Sequence, residues 1–220
     1  GAYDTKIKTG ETYQSLELKD VARLVREPSS KPKDQSQWAI FSTYRDFDAR
    51  SHDRQREAGQ YVALAGDIDT GNHTKAEIMK AILAICGDVY FLIYSTSGST
   101  AENKKWRFII PVRANVPGGR YNEIQRALFD MMGERNIECD RALTRPGQPI
   151  YLPNIPMDKR NAAAIPYFYE YEMHKGPTAF VWETSDVAER EYQNILADQQ
   201  REQAALEAAK KRAEERKDPF

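Results

Sequence analysis

The stretch Y-V-A-L-A-G-D-I-D, Tyr61 to Asp69, decides the reading: an apolar, small-residue strand runs straight into two aspartates. Alternate residues of a strand share a face, so Asp67 and Asp69 point to the same side. The small residues Ala63, Ala65 and Gly66 leave room above it for a ligand. Outward from this strand, Thr74-Lys75-Ala76-Glu77 is a capping box that starts a helix to about Cys86, and Gly87 can stop it. Val89 to Ser95 is a second strand, a polar loop runs to Lys104, and Lys105 to Val112 is a third strand closed by the turn Pro117-Gly118-Gly119. Arg120 to Glu134 is a second helix with Ile124, Leu128, Met131 and Met132 facing inward, and Pro149 to Pro153 is a short fourth strand.

That order is the split βαβ pattern and predicts an α+β, RRM-like antiparallel core over about 61–155. Its first strand is expected at the centre, flanked by the third and fourth. Such a frame gathers Asp67, Asp69, Asp140, Lys105, Arg107 and the loop Ser95 to Thr100 on one edge of one sheet. Upstream, about 1–60, lies an N-terminal α/β unit. It holds a helix near Leu16 to Val25, a strand from Trp38 to Tyr44, and a polar stretch carrying Arg45, Arg50, Arg54 and Arg56. Tyr167 to Met173 and Ala179 to Trp182 add β structure, completing a domain of 1–184. From Ser185 the composition turns to Ala, Glu, Gln, Lys and Arg, which reads as a charged helical tail or connector over 185–220.

With 40% apolar and 30% charged residues, the chain suits one packed domain with an appendage. No apolar run approaches the roughly 20 residues of a membrane span, and no signal peptide opens the chain, so the cytoplasm is the expected location. Gly1-Ala2 reads as a cleavage scar. Cys86 and Cys139 lack metal-type spacing and read as core residues. A formal net charge of −1 excludes a duplex-coating protein; any nucleic-acid contact is local and salt-sensitive.

Three carboxylates at one edge raise each other's pKa unless cations neutralise them. Hard oxygen ligands select Mg²⁺ or Mn²⁺, and two such ions roughly 3.5–4 Å apart can clamp an in-line phosphoryl displacement. Lys105 and Arg107, with Ser97, Ser99 and Thr100, offer donors for a triphosphate. Alone, D-x-D is more often a solvated turn or a cap, Asp140 a turn residue, Arg107 an exposed strand residue, and the serines turn formers. The expected convergence is what singles them out.

At these residues the chain resembles the archaeo-eukaryotic primase (AEP) superfamily, in its phage and plasmid primase-polymerase branch. The resemblance runs over about 61–155 through A-G-D-I-D (Ala65 to Asp69), Y-S-T-S-G-S-T (Tyr94 to Thr100), W-R-F-I-I-P (Trp106 to Pro111) and C-D-R-A-L-T-R-P-G-Q-P-I-Y-L-P (Cys139 to Pro153). It implies that Asp67, Asp69 and Asp140 are catalytic metal ligands for two Mg²⁺ or Mn²⁺ ions and that Arg107 faces the incoming nucleotide. The expected partners are a dNTP or NTP, a single-stranded DNA template, and a helicase domain or protein beyond the C-terminus; a phage or plasmid source would place the chain in a bacterial host's cytoplasm. One departure stands out: Ser97-Gly98-Ser99 occupies the family's Ser-x-His position, so serine replaces a histidine that contacts phosphate. Serine donates a hydrogen bond but carries no charge. His73 could substitute, against a turn or capping role before the helix.

The expected activity is template-directed nucleotide transfer, with template passing along Arg45, Arg50 and Arg54. Tyr44, Tyr61 or Tyr151 could stack bases, against core packing for each. The alternatives are a catalytically weakened nucleotide- or DNA-binding module of a replication initiator, and a metal-dependent nuclease or cyclase.

Overall fold

A computed structural model describes residues 13–32, 35–156 and 168–215. Gly1-Ala2, Tyr167 and the last residues of the tail lie outside the described residues. The fold is α+β with antiparallel sheets and a C-terminal helix. The helices are α1 (Leu18–Arg26), α2 (His52–Ala58), α3 (Lys75–Cys86), α4 (Gly118–Gly133) and α5 (Asp186–Glu215), and the strands are β1 (Trp38–Ala39), β2 (Gln60–Ile68), β3 (Phe91–Ser95), β4 (Trp106–Pro117), β5 (Ile150–Tyr151) and β6 (Tyr171–His174). The main sheet runs β2-β4-β3-β6, and β1 pairs with β5 in a separate ribbon.

The helices form where the sequence puts caps and apolar stripes. Thr74 and Glu77 close the capping box of α3, with the Glu77 carboxylate accepting the Thr74 N–H at 2.7 Å, and Gly87 ends the helix at φ 75°. Ile78, Ile82 and Ile85 of α3 and Ile124, Leu128 and Met132 of α4 are buried in one core with Leu64, Ile68, Leu92 and Phe108 of the sheet. The Pro117-Gly118-Gly119 turn is a direct hand-over: Pro117 caps α4 and the helix begins at Gly118. A Cβ at Gly118 would stand 1.9 Å from the Gln55 carbonyl oxygen, so only glycine fits beside α2.

Two expectations about the strands need correction. The segment Trp38 to Tyr44 is not one strand, because it divides its pairing between two partners. Trp38 and Ala39 join Tyr151 and Ile150, whereas Val62 N–H donates to Phe41 at 2.8 Å and Thr43 N–H to Gln60 at 2.9 Å. The fourth strand does not flank the first, and β2 is an edge strand. Its outer edge is already taken by Phe41–Thr43 at one end, by the Gln125 amide on the Ala65 carbonyl at 2.6 Å, and by the Asp140 N–H on the Asp67 carbonyl at 2.8 Å. A strand has no slot left there, and β5 pairs with β1 instead.

The stretch Arg45 to Gln60 contains α2, capped by the Ser51 hydroxyl, which accepts the Arg54 N–H. The charged tail is a helix, and its first half packs on the domain. Val187 and Glu191 of α5 are buried, and its first half docks on α4 through Arg120–Glu191, Arg126–Asp198 at 2.8 Å and Asn194–Asp130 at 2.9 Å. Residues 199–214 are exposed throughout. Among the described residues no helix is long and apolar enough to cross a membrane.

Candidate active site

Sheet register builds the site. Asp67, Arg107, Tyr94 and Tyr171 are successive cross-strand partners on β2, β4, β3 and β6, so their side chains share one face. The Arg107 Nε and Nη2 both donate to Asp67 Oδ2, at 2.9 and 2.7 Å. Its Nη1 donates to the Tyr151 carbonyl at 3.4 Å, and the Tyr94 hydroxyl donates to that same oxygen at 2.7 Å. The row therefore faces the β1–β5 ribbon, and the Tyr151 ring lies over Arg107 with the Cζ 5.7 Å from its centroid.

The other oxygen of Asp67, Oδ1, is buried and has no hydrogen-bond partner among the described residues. Burial pushes the Asp67 carboxyl above the usual carboxylate range; Arg107 opposes the shift, and the charges of Asp69 and Asp140 add to it. Asp69 pairs with Lys105 at 3.2 Å. Asp140 caps the short 3₁₀ turn Arg141–Thr144, its Oδ1 accepting the Ala142 N–H at 2.9 Å. Among the described residues no three His, Cys, Asp or Glu side chains are arranged to hold a metal ion.

The donor chemistry nonetheless fits a hard cation at Asp67. Arg107 neutralises one oxygen and leaves the other, a desolvated acceptor, without a donor, which is costly unless something binds it. Asp69 and Asp140 would complete the set only by leaving Lys105 and the 3₁₀ cap.

The loop residues have a different place. Ser99 is buried, and its hydroxyl accepts the Lys105 N–H at 3.1 Å. Thr100 closes its own turn, with its hydroxyl accepting the Asn103 N–H at 3.0 Å, and Ser97 is half-buried beside exposed Gly98. These side chains shape the loop that aims Lys105 at Asp69. His73 takes the turn role: its carbonyl accepts the Trp106 indole N–H at 2.7 Å. Next to it Asn72, at φ 47°, accepts the Lys104 N–H on its side-chain oxygen at 2.9 Å. That residue joins the aspartate turn to the start of β4. Sequence reasoning passed over it, although Gly71-Asn72 after a strand is a turn signal for left-handed backbone.

The three arginines assigned to template lie on the N-terminal unit, exposed but locally engaged. Arg45 bonds Ser15, Arg54 pairs with Asp48 at 3.2 Å and Glu57 at 2.8 Å, and Arg50 lies over the Trp38 ring. Of these, Arg50 is linked to the row through Trp38, the register partner of Tyr151. Tyr61 is buried and stacked on Tyr121, Tyr44 is half-buried with its hydroxyl on Asp48, and Tyr151 is exposed. Cys86 and Cys139 are buried free thiols, each pushed up to about 12 by burial.

No family model matches the chain, and no curated protein does. Among solved structures it is similar to the AEP domain of the cyanophage S-2L primase-polymerase (PrimPol), with a TM-score of 0.45 and 17% identity over 75% of this chain and 73% of that one.

Proposed function

We propose that the Asp67 edge is the active site of a metal-dependent nucleotidyltransferase, a primase-polymerase that adds nucleotides from (d)NTPs to a strand on a single-stranded DNA template. The observation that carries this reading is the unpartnered, buried Asp67 Oδ1 beside two further carboxylates. Asp67, Asp69 and Asp140 would hold Mg²⁺ or Mn²⁺, which when bound supplies charge stabilisation for a 3′-oxygen displacing pyrophosphate at the α-phosphate. Arg107 holds the Asp67 carboxylate in one orientation through two donors on Oδ2 and opposes the upward shift that burial imposes on it. With a cation held at the carboxylates, Lys105 would be free of Asp69 to meet the triphosphate. Ser99 fixes the Lys105 backbone and thereby its reach, a role that needs no charge.

The test is incorporation of labelled dNTPs and NTPs on single-stranded template with Mg²⁺ or Mn²⁺, with and without primer, beside Asp67→Ala/Asp69→Ala. Metal-dependent product that vanishes in the variant supports the reading, and the lane without primer separates priming from extension. Absence of product in every lane would refute it. A second reading, a nucleotide- or DNA-binding replication module without turnover, is favoured by one observation: Asp69 and Asp140 are each already engaged with other partners. Nucleotide binding without incorporation would select it.

A further inference from the structure

We infer that Tyr151 is the stacking platform for the base of the nucleotide held at the Asp67–Arg107 row; this rests on the reading just proposed. Three features of the structure lead there. The backbone at Tyr151 is fixed from three directions: the Trp38 register pairing, the Tyr94 hydroxyl at 2.7 Å and Arg107 Nη1 at 3.4 Å. The ring is held over the same guanidinium that grips Asp67. Yet the residue keeps 40% of its surface exposed beside a charged site.

An aromatic ring that is positioned by its backbone loses little freedom on binding a planar partner. A guanidinium beneath a ring leaves the opposite face available, and each base has a π-face to offer. The other rings of the region do not meet these conditions. Tyr94 is fully buried in the row, and Tyr61 is covered by Tyr121. Tyr171 is comparably exposed, but it sits three strand positions from Asp67, about 14 Å away at ordinary strand spacing. Tyr151 alone among these combines exposure with contact to the Asp67–Arg107 pair.

Stacking tolerates any base, so the platform predicts affinity for nucleosides as a class and little choice among the four. It also separates two parts of the ligand: Lys105 and the carboxylate edge deal with phosphate, and the ring deals with the base. Among the described residues its side chain makes no hydrogen bond, and the pairing and hydrogen bonds that hold the ribbon at this position come from its main chain. Substitution there should leave the fold intact.

The experiment titrates dATP and inorganic tripolyphosphate into the whole chain with Mn²⁺ present, comparing wild type, Tyr151→Phe and Tyr151→Leu by calorimetry. Melting temperatures are read alongside to establish equal folding. Wild type and Tyr151→Phe should bind dATP about 5- to 150-fold more tightly than Tyr151→Leu does. Tripolyphosphate should bind all three alike. Equal dATP affinity in Tyr151→Leu and wild type would overturn the inference and leave the nucleotidyltransferase reading standing. If wild type binds neither ligand, both fall together.

Discussion

Two ion pairs join the strand of Asp67 to the strand of Arg107, two residues apart, and they differ in almost everything but composition. Asp67 and Arg107 meet in register with side chains only 15% and 12% exposed, whereas Asp69 and Lys105 meet just beyond the strand ends at 53% and 28%. The inner pair is desolvated, doubly hydrogen-bonded and locked to the Tyr151 carbonyl. The outer one is a single contact in reach of water. Breaking a buried pair leaves an uncompensated charge, whereas an exposed pair contributes little. The inner pair therefore acts as scaffold, and the outer pair is the part that can open for a ligand at small cost.

The largest effect should come from breaking the inner pair on one side. Asp67→Ala strands the buried Arg107 guanidinium and should destabilise the chain by about 3–5 kcal/mol in denaturant unfolding. The double variant Asp67→Ala/Arg107→Met should recover a large part of that loss. Equal stability of the two variants would mean that the pair is not desolvated as described. Removing the inner pair's anchor comes next. Tyr94→Phe deletes one buried hydrogen bond to the Tyr151 carbonyl and should cost about 1 kcal/mol by the same measurement. An unchanged unfolding midpoint would show that Arg107 alone secures that oxygen.

The outer pair sharpens the contrast. Lys105→Ala should change stability by less than about 1 kcal/mol. Nucleotide incorporation should nevertheless fall by about tenfold or more, the loss of one charge-assisted phosphate contact. A large stability loss with normal incorporation would reverse the assignment of roles.

The smallest effect lies at the cap of α3, where the Thr74 backbone and hydroxyl hold Glu77 below its usual carboxyl value. A folded-state pKa below the unfolded one gives stability that is present above the unfolded value, about 4.3, and is lost as pH falls through the folded value. The melting-temperature advantage of wild type over Glu77→Gln should therefore be full at pH 7 and vanish in acid. An advantage unaffected by pH would assign it to something other than the carboxylate.

The elements that the sequence announced were those with local chemistry. The Thr74–Glu77 box, the Gly87 stop and the apolar stripe of α4 are short-range signals, and the helices stand where they predict. The pairing of β2 with β4 followed from the split pattern. The place of Ile150–Tyr151 did not, because an unrelated segment, Trp38–Ala39, offered it a partner while a glutamine amide and the Asp140 N–H occupied the edge of β2. Strand partnership is a long-range competition that no window of sequence displays. The site shows the same division. Asp67 and Asp69 were read as a pair on one face, β2 ends at Ile68 between them, and Asp140 reaches Asp67 through one backbone bond to its carbonyl. That Arg107 would grip Asp67 depends on register across β2 and β4, and that Ser99 would be buried depends on how its loop folds back on Lys105. Neither is a property of residue type.

Divalent-cation binding at Asp67 Oδ1 is tested most directly by Mn²⁺ titration followed by electron paramagnetic resonance. Wild type should remove Mn²⁺ from the free-ion signal with saturable stoichiometry, Asp67→Asn should remove far less, and Lys105→Ala should still bind. Mn²⁺ uptake that is absent in wild type, or equal in wild type and Asp67→Asn, would contradict the account.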